Sequence, residues 1–338
     1  MSQKIVNVAV AILHYQDQYL LGYRNANQHQ GNKYEFIGGK IESSKNGRGE
    51  TPKQGLIREV FEEIGCDISQ NIAVKMGIIR HNYSDKSVAL HCFKIELNQS
   101  QFEQLQSEIG KEGQAITWVK RVDLLAKKYP LPEANAHILD WLTLPEAIFI
   151  SQSLSSFNNH HQWLNFYTKN LPNKAVFYGR LQAKFATSFL LISKLLEQRN
   201  DLLVLIPLQL WQHYPQNFES KNCIIHLTHA DLMTLDCDRL NHQQYFASCH
   251  DEESIAKVNQ LAKMHTVMGC FISPVLPTPT HPESAGLGWD KFSELAEMCD
   301  VPVYALGGMG LEHLSQVQEN YGFGVAGIRL IESILNGS

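Results

Sequence analysis

Three glutamates, Glu59, Glu62 and Glu63, crowd one short stretch of a 338-residue chain, and a glycine pair, Gly38-Gly39, precedes them. At i, i+3 and i+4 the three carboxylates share one edge of a helix. Carboxylates this close repel one another unless a cation joins them. Hard oxygen ligands suit Mg²⁺ or Mn²⁺, which often bridge protein carboxylates to substrate phosphates. Such a metal neutralises diphosphate charge and polarises a water for attack on phosphorus. A carbonyl from Gly38 or Gly39 completes the expected ligand set. Arg58 pairs with Glu50 and orients the site rather than binding metal. A solvated helix face could carry the same glutamates. The glycine loop, the Arg58-Glu59 core and a well-formed helix start together favour the metal site.

That helix has clear ends. Thr51 is the expected N-cap, Pro52 the first helical residue and Gln54 the partner in a capping box. Gly65 stands where a glycine ends a helix in the left-handed conformation. The predicted helix covers 52–64. Leu56, Ile57, Val60, Phe61 and Ile64 recur at helical spacing and form its expected buried stripe.

The run from Gly38 to Gly65 resembles the Nudix box, G-x5-E-x7-R-E-U-x-E-E-x-G-U, where U is a bulky aliphatic. Glu50 to Arg58 keeps the seven-residue gap, and Arg58-Glu59-Val60-Phe61-Glu62-Glu63-Ile64-Gly65 keeps the remainder. Ten residues rather than five separate Gly39 from Glu50. The extra residues fall in Ser43-Ser44-Lys45-Asn46-Gly47-Arg48, a polar stretch that reads as a surface loop. Cys66 replaces the final aliphatic and packs as a small apolar group.

The flanking sequence is similar to the MutT branch of that family, which removes diphosphate from 8-oxo-dGTP. The similarity lies in Asn32-Lys33-Tyr34-Glu35-Phe36-Ile37-Gly38-Gly39-Lys40, in Gly110-Lys111-Glu112-Gly113-Gln114 with Trp118, and in Leu131-Pro132-Glu133-Ala134-Asn135. Ile37 stands where that branch usually has proline. The resemblance implies that Arg24 and Asn135 contact the nucleobase and that Phe36 lines its pocket. It places Lys40 near phosphate and makes Glu112 a further catalytic carboxylate or metal ligand. An asparagine amide can pair with a purine edge through both its donor and its acceptor.

The chain is longer than one small domain needs, which predicts two. A net charge of −5 gives no basic footprint for nucleic acid and fits a small nucleotide that brings its own metal. Seven dispersed cysteines suit a reducing cytoplasm better than a disulfide framework. No membrane span or signal peptide is read. The localisation expected is cytoplasmic, and the oligomeric state is not legible.

Strand-like runs at Ile5–His14, Gln18–Gly22, Val74–Tyr83, Ser87–Leu97 and Thr117–Lys120, with a second helix over Ala134–Leu142, fit a Nudix α/β/α sandwich with a mixed sheet over 1–143. Leu144-Pro145-Glu146 is the join. Over 144–338, eight apolar runs alternate with helical segments: 147–151, 175–179, 202–206, 222–227, 245–249, 266–272, 302–305 and 324–328. This pattern predicts a (β/α)8 TIM barrel, so the fold class is α/β throughout.

Several barrel segments resemble the thiamine phosphate synthase and TenI group. They are Ile224-Ile225-His226-Leu227, Ala247-Ser248-Cys249-His250-Asp251, Ser273 to Thr280, Gly286-Leu287-Gly288-Trp289 and Val301 to Met309. The resemblance implies a phosphate site of Arg180, Ser248, Thr278, Thr280, Gly307 and Gly308. The match is incomplete. Tyr178-Gly179-Arg180-Leu181-Gln182 keeps only the arginine of a Gln-x-Arg-x-Lys strand. Leu208-Gln209 replaces an Asn-Asp magnesium pair, leaving Asp231 as the other metal carboxylate. His281 stands where a lysine follows the threonines.

The favoured reading is a magnesium-dependent hydrolase. It cleaves an oxidised purine nucleoside triphosphate to a monophosphate and diphosphate, and it is fused to a degenerate or ligand-binding barrel. Alternatives are a hydrolase of a thiamine-pathway diphosphate, a bifunctional enzyme with an active synthase, and a ligand-sensing protein without catalysis.

Overall fold

The computed structural model describes residues 5–25, 31–42, 49–83, 86–218, 222–237, 240, 243–277 and 285–336. The chain forms two compact units, Met1–Thr143 and Leu144–Ser338.

The first unit is built on β1 (Ile5–Tyr15), whose buried run Ala9 to Leu13 suits a central strand covered on both faces. Around it lie β2 (Gln18–Tyr23), β3 (Tyr34–Glu35), β4 (Ile37–Lys40), β5 (Val74–Asn82), β6 (Ser87–Glu96) and β7 (Ile116–Lys120). The sheet order is β3-β2-β1-β6-β5, with β4 also on β1 and β7 on β2. Among the described residues only β1 and β6 run parallel and the other pairs are antiparallel, so the sheet is mixed.

Helix α1 (Pro52–Ile64) packs on β1 and β4. Leu56, Val60 and Ile64 meet Ala9, Ala11, Ile37, Phe93 and Ile95 in one apolar cluster. Thr51 caps α1 by accepting from the Gln54 N–H at 3.2 Å, and the Gln54 side chain accepts from the Thr51 N–H at 2.9 Å. Gly65 ends it at φ 71°. The expected stripe is one residue too wide. Phe61 is 49% exposed, with the Lys111 ammonium 4.6 Å from its ring centre. It stands on the flank that faces the 110–114 loop, and Gly55 is buried instead. Short helices α2 (Gln99–Gln104) and α3 (Arg121–Leu125) follow β6 and β7. The expected helix over 134–142 begins as one 3₁₀ turn, Glu133–Asn135, before α4 (Ala136–Trp141).

The second unit is a closed barrel of eight parallel strands: β8 (Ala147–Ile150), β9 (Val176–Tyr178), β10 (Leu203–Pro207), β11 (Cys223–Leu227), β12 (Tyr245–Cys249), β13 (Val267–Ile272), β14 (Val303–Leu306) and β15 (Gly324–Gly327). Helical segments separate the strands. They are α5 (His160–Asn170), α6 (Phe185–Gln198), α7 (Leu208–His213), α8 (Pro215–Phe218), α9 (His229–Thr234), α10 (Glu252–Ala262), α11 (Gly288–Met298), α12 (Leu314–Glu319) and α13 (Leu330–Asn336). Buried aromatics fill its interior: the Phe246 and Phe271 rings lie 4.5 Å apart, and Phe246 and Tyr304 5.6 Å. Among the described residues no helix is long and apolar enough to cross a membrane. All seven cysteines are free thiols.

Candidate active site

The glycine pair sits in β4, pressed between β1 and the acidic edge of α1. Gly38 pairs with Val10 and Gly39 with Ala9. Gly38 adopts φ 144°, and a Cβ there would lie 2.1 Å from the Ala9 carbonyl oxygen. A Cβ on Gly39 would lie 2.1 Å from Glu59 Oε2. Only glycine lets the strand approach the carboxylates this closely. The Gly38 N–H donates to Glu63 Oε2 at 3.3 Å. Two of the three sequence-predicted glutamates therefore face the glycine loop.

Glu112 arrives from the tight loop 110–114. The Lys111 N–H and the Gln114 side-chain amide both donate to the Glu63 carbonyl, at 2.7 and 3.0 Å. This docking anchors the Glu112 loop at the end of α1. Burial, then the charges of Glu35, Glu59 and Glu112, pushes the Glu63 carboxyl up to about 8, against the Gly38 hydrogen bond that lowers it.

Arg58 organises the outer edge. Its Nε and Nη2 donate to the two oxygens of Glu50 at 2.7 and 2.9 Å, and Nη2 also reaches the Lys40 carbonyl at 3.0 Å. Its Nη1 donates to Glu59 and Glu62, each at 2.8 Å. Glu62 is about half exposed. With Glu59 and Glu62 turned to Arg58, no three acidic, histidine or cysteine groups converge as metal ligands among the described residues. The donor set still fits a hard divalent cation. It consists of carboxylate oxygens around Glu63, whose mutual repulsion a cation would relieve. A cation held by Glu59 and Glu62 would compete with Arg58 Nη1 for their oxygens, whereas Glu50 and the Lys40 carbonyl hold the rest of the guanidinium.

The base-pocket residues lie on other elements. Arg24 is ion-paired with Glu35 through Nε–Oε2 at 2.5 Å. Burial raises the Glu35 carboxyl, and Arg24 offsets part of that rise. Phe36 is buried. Asn135 is only 7% exposed, and its side-chain amide has no hydrogen bond among the described residues. Lys40 is exposed at the end of β4. Glu35 has no role in the sequence pattern beyond its place ahead of the glycine strand. Its signal was an acid two residues ahead of Ile37, in a strand that pairs with the one leading to Arg24. The extended segment 43–48 lies outside the described residues.

Residues 8–141 match the family described as NUDIX domain. Over 128 residues the chain is 31% identical to the 8-oxo-dGTP diphosphatase of Escherichia coli (strain K12), covering 38% of this chain and 89% of that protein. This chain belongs to the Nudix hydrolase family. The Nudix unit is also 27% identical over 137 residues to the CTP pyrophosphohydrolase of Escherichia coli (strain K12), covering 40% of this chain and 90% of that protein. Residues 217–334 match the family described as thiamine monophosphate synthase. Over 59 residues the chain is 37% identical to the putative thiamine-phosphate synthase 2 of Aquifex aeolicus (strain VF5), covering 18% of this chain and only 32% of that protein.

Of the barrel residues singled out by sequence, Arg180, Ser248, Gly307 and Gly308 lie at the C-terminal ends of the strands, where barrel enzymes carry their sites. Arg180 follows β9 and is exposed. Ser248 Oγ lies 2.9 Å from His226 Nε2. Gly307 and Gly308 turn at the end of β14 with φ of 97° and 70°. Thr278, Thr280 and His281 lie outside the described residues.

The expected magnesium carboxylate does not fit that role. Asp231 Oδ1 accepts from the Gln209 amide at 2.5 Å. Its Oδ2 accepts from the Thr228 N–H at 3.0 Å and hydroxyl at 2.6 Å. Oδ2 serves the cap of α9, Oδ1 is held by Gln209, and an amide donor stands where a second carboxylate ligand would be required.

Proposed function

We propose that the Nudix unit hydrolyses an oxidised purine nucleoside triphosphate to its monophosphate and diphosphate with Mg²⁺ or Mn²⁺. The observation that carries this reading is the close approach of Glu59 and Glu63 to the glycine strand, with the Glu112 loop docked on the Glu63 carbonyl. The bound metal supplies charge neutralisation and a more acidic water. Glu59, Glu62 and Glu63, with a carbonyl of Gly38 or Gly39, would hold it, and Glu112 adds a ligand or takes the water's proton. Arg58 keeps the acidic edge in register through Glu50. Lys40 lies on the side from which phosphates would enter.

Base selection rests on Asn135. Asn135 is buried, and its amide, which has no hydrogen bond among the described residues, offers one donor and one acceptor to a purine edge. Arg24, braced by Glu35, and the Phe36 ring complete the pocket. Similarity to the diphosphatase supports this substrate class. A second reading, a thiamine-pathway diphosphate as substrate, is favoured by the fused barrel.

A substrate panel on the full chain tests both. It holds oxidised and ordinary purine triphosphates, CTP and pyrimidine diphosphates, each with Mg²⁺. The expected result is kcat/KM highest for an oxidised purine, and loss of turnover in Glu62→Gln. A preference for CTP or for a pyrimidine diphosphate overturns the purine assignment. Equal product release from wild type and Glu62→Gln makes the unit a non-catalytic ligand sensor.

A further inference from the structure

We propose that Gln114 is a positioning residue for the hydrolase site: it locks the 110–114 loop to the end of α1, so that Glu112 and Glu63 serve the same cation. This inference rests on the hydrolase reading, in which Glu112 acts at the metal.

A helix leaves its last carbonyls without partners inside the helix. In α1 the Gly65 N–H returns to the Phe61 carbonyl at 3.0 Å, and the Glu63 carbonyl is met from outside. The Lys111 N–H donates to it at 2.7 Å and the Gln114 Nε2 at 3.0 Å. The residue before Glu112 and the second residue after it therefore grip one atom. That atom belongs to the residue whose carboxylate accepts from the Gly38 N–H at 3.3 Å. Glu63 thus links the loop to the glycine strand, carbonyl on one side and carboxylate on the other. The Lys111 ammonium, 4.6 Å from the centre of the Phe61 ring, adds a contact on the same helix end.

The loop is shaped to seat this amide. Gly113 turns at φ 82°. Gly110 is buried, and a Cβ there would lie 2.7 Å from the Gln114 Cδ and Oε1 and 2.9 Å from its Nε2. Glycine at 110 leaves the room that the side chain fills. The hairpin itself closes without the amide. The Gly110 N–H donates to the Gln114 carbonyl at 2.7 Å, the Gly113 N–H to the Gly110 carbonyl at 3.0 Å and the Ile116 N–H to the Glu108 carbonyl at 2.9 Å. The Gln114 Oε1 is buried with no partner among the described residues, so the amide is held by its donor alone. Glu112 is exposed, and its side chain makes no hydrogen bond or ion pair among the described residues. Its place therefore depends on how the loop docks.

Two measurements on the full chain test the proposal: Mn²⁺ binding, read from the paramagnetic resonance signal of the free ion, and Mg²⁺-dependent kcat/KM. The proteins are wild type, Glu112→Gln, Gln114→Met, Gly110→Ala and the double variant of Glu112→Gln with Gln114→Met. Methionine keeps the length of glutamine and loses its donor. The Lys111 N–H still satisfies the Glu63 carbonyl and an unmatched buried oxygen is removed, so the urea midpoint is expected to stay close to wild type. In Gly110→Ala the new methyl displaces the flexible amide, which reaches the same state by a second route. Each single variant is expected to raise the Mn²⁺ Kd roughly three- to tenfold. Adding Gln114→Met to Glu112→Gln changes the Kd by less than about twofold, because the two residues act as a unit. A residue that only supports the fold gives losses that multiply. If Glu112→Gln weakens binding while Gln114→Met stays within about twofold of wild type, or if the two losses multiply, Gln114 is not a positioning residue and the hydrolase reading stands. If Glu112→Gln leaves both binding and turnover unchanged, the metal role of Glu112 fails and this inference falls with it.

Discussion

Arg58 holds both carboxylate oxygens of Glu50, Nε to Oε1 at 2.7 Å and Nη2 to Oε2 at 2.9 Å. Glu50 Oε2 also accepts from the Glu42 N–H at 2.9 Å, which ties the segment after the glycine strand to the start of α1. A lysine cannot reproduce the planar fork. Arg58→Lys is expected to keep the helical circular dichroism spectrum of the wild type. Losing one charge-assisted hydrogen bond of about 1.5–3 kcal/mol lowers kcat roughly 10- to 100-fold. Steady-state kinetics with Mg²⁺ check this; a kcat within twofold of wild type would remove Arg58 as the organiser of the site.

The two glycines are expected to separate stability from activity. In Gly38→Ala the new methyl meets the Ala9 backbone, and the φ of 144° is strained for any side chain. A loss of roughly 2–4 kcal/mol is expected in urea unfolding. In Gly39→Ala the methyl meets the movable end of Glu59. Stability then changes by about 1 kcal/mol or less, while magnesium-dependent turnover falls because Glu59 is displaced. Similar unfolding midpoints for the two variants would contradict the strand geometry.

With its carboxyl pushed up to about 8, Glu63 is largely uncharged at pH 7 in the metal-free protein, so a neutral amide at this position costs little there. Glu63→Gln is expected to melt at the same or a higher temperature than wild type in EDTA. Wild type gains about 2.7 kcal/mol at a metal concentration roughly 100 times Kd. Glu63→Gln loses most of that gain. Thermal melts of both proteins across a Mg²⁺ series decide the matter, and an undiminished shift in the variant would exclude Glu63 as a ligand.

The barrel offers a pH prediction. Arg199 donates to Asp201 through Nε and Nη2, and to the carbonyls of Thr168, Leu171 and Pro172 at the end of α5. The Arg199 hydrogen bonds hold the Asp201 carboxyl well below its usual range. A depressed carboxylate stabilises the fold above the unfolded value of about 3.9 and ceases to do so as pH falls through the folded value. Asp201→Asn is therefore less stable than wild type at pH 7, and the difference shrinks below about pH 4. Urea midpoints at several pH values measure this; a difference that stays constant into strong acid would contradict it.

The sequence by itself determined α1 and its limits. Thr51, Pro52, Gln54 and Gly65 mark the ends of that helix because caps are local interactions between residues three or four apart. The order and approximate limits of the eight barrel strands were also legible, because apolar runs separated by helical segments need no partner to be recognised. Tertiary structure decided the rest. Phe61 has the spacing of a core residue, yet it faces the 110–114 loop, whose docking on Glu63 no local pattern records. Glu35 and Glu112 lie far from Glu63 along the chain and act on its carboxyl only because the sheet and the loop bring them close. The closure of Asp231 by Gln209 depends on two helices that follow neighbouring strands. Local hydrogen bonding and periodicity are written in short windows of sequence. Electrostatic neighbourhood and the satisfaction of buried polar atoms belong to the packed chain.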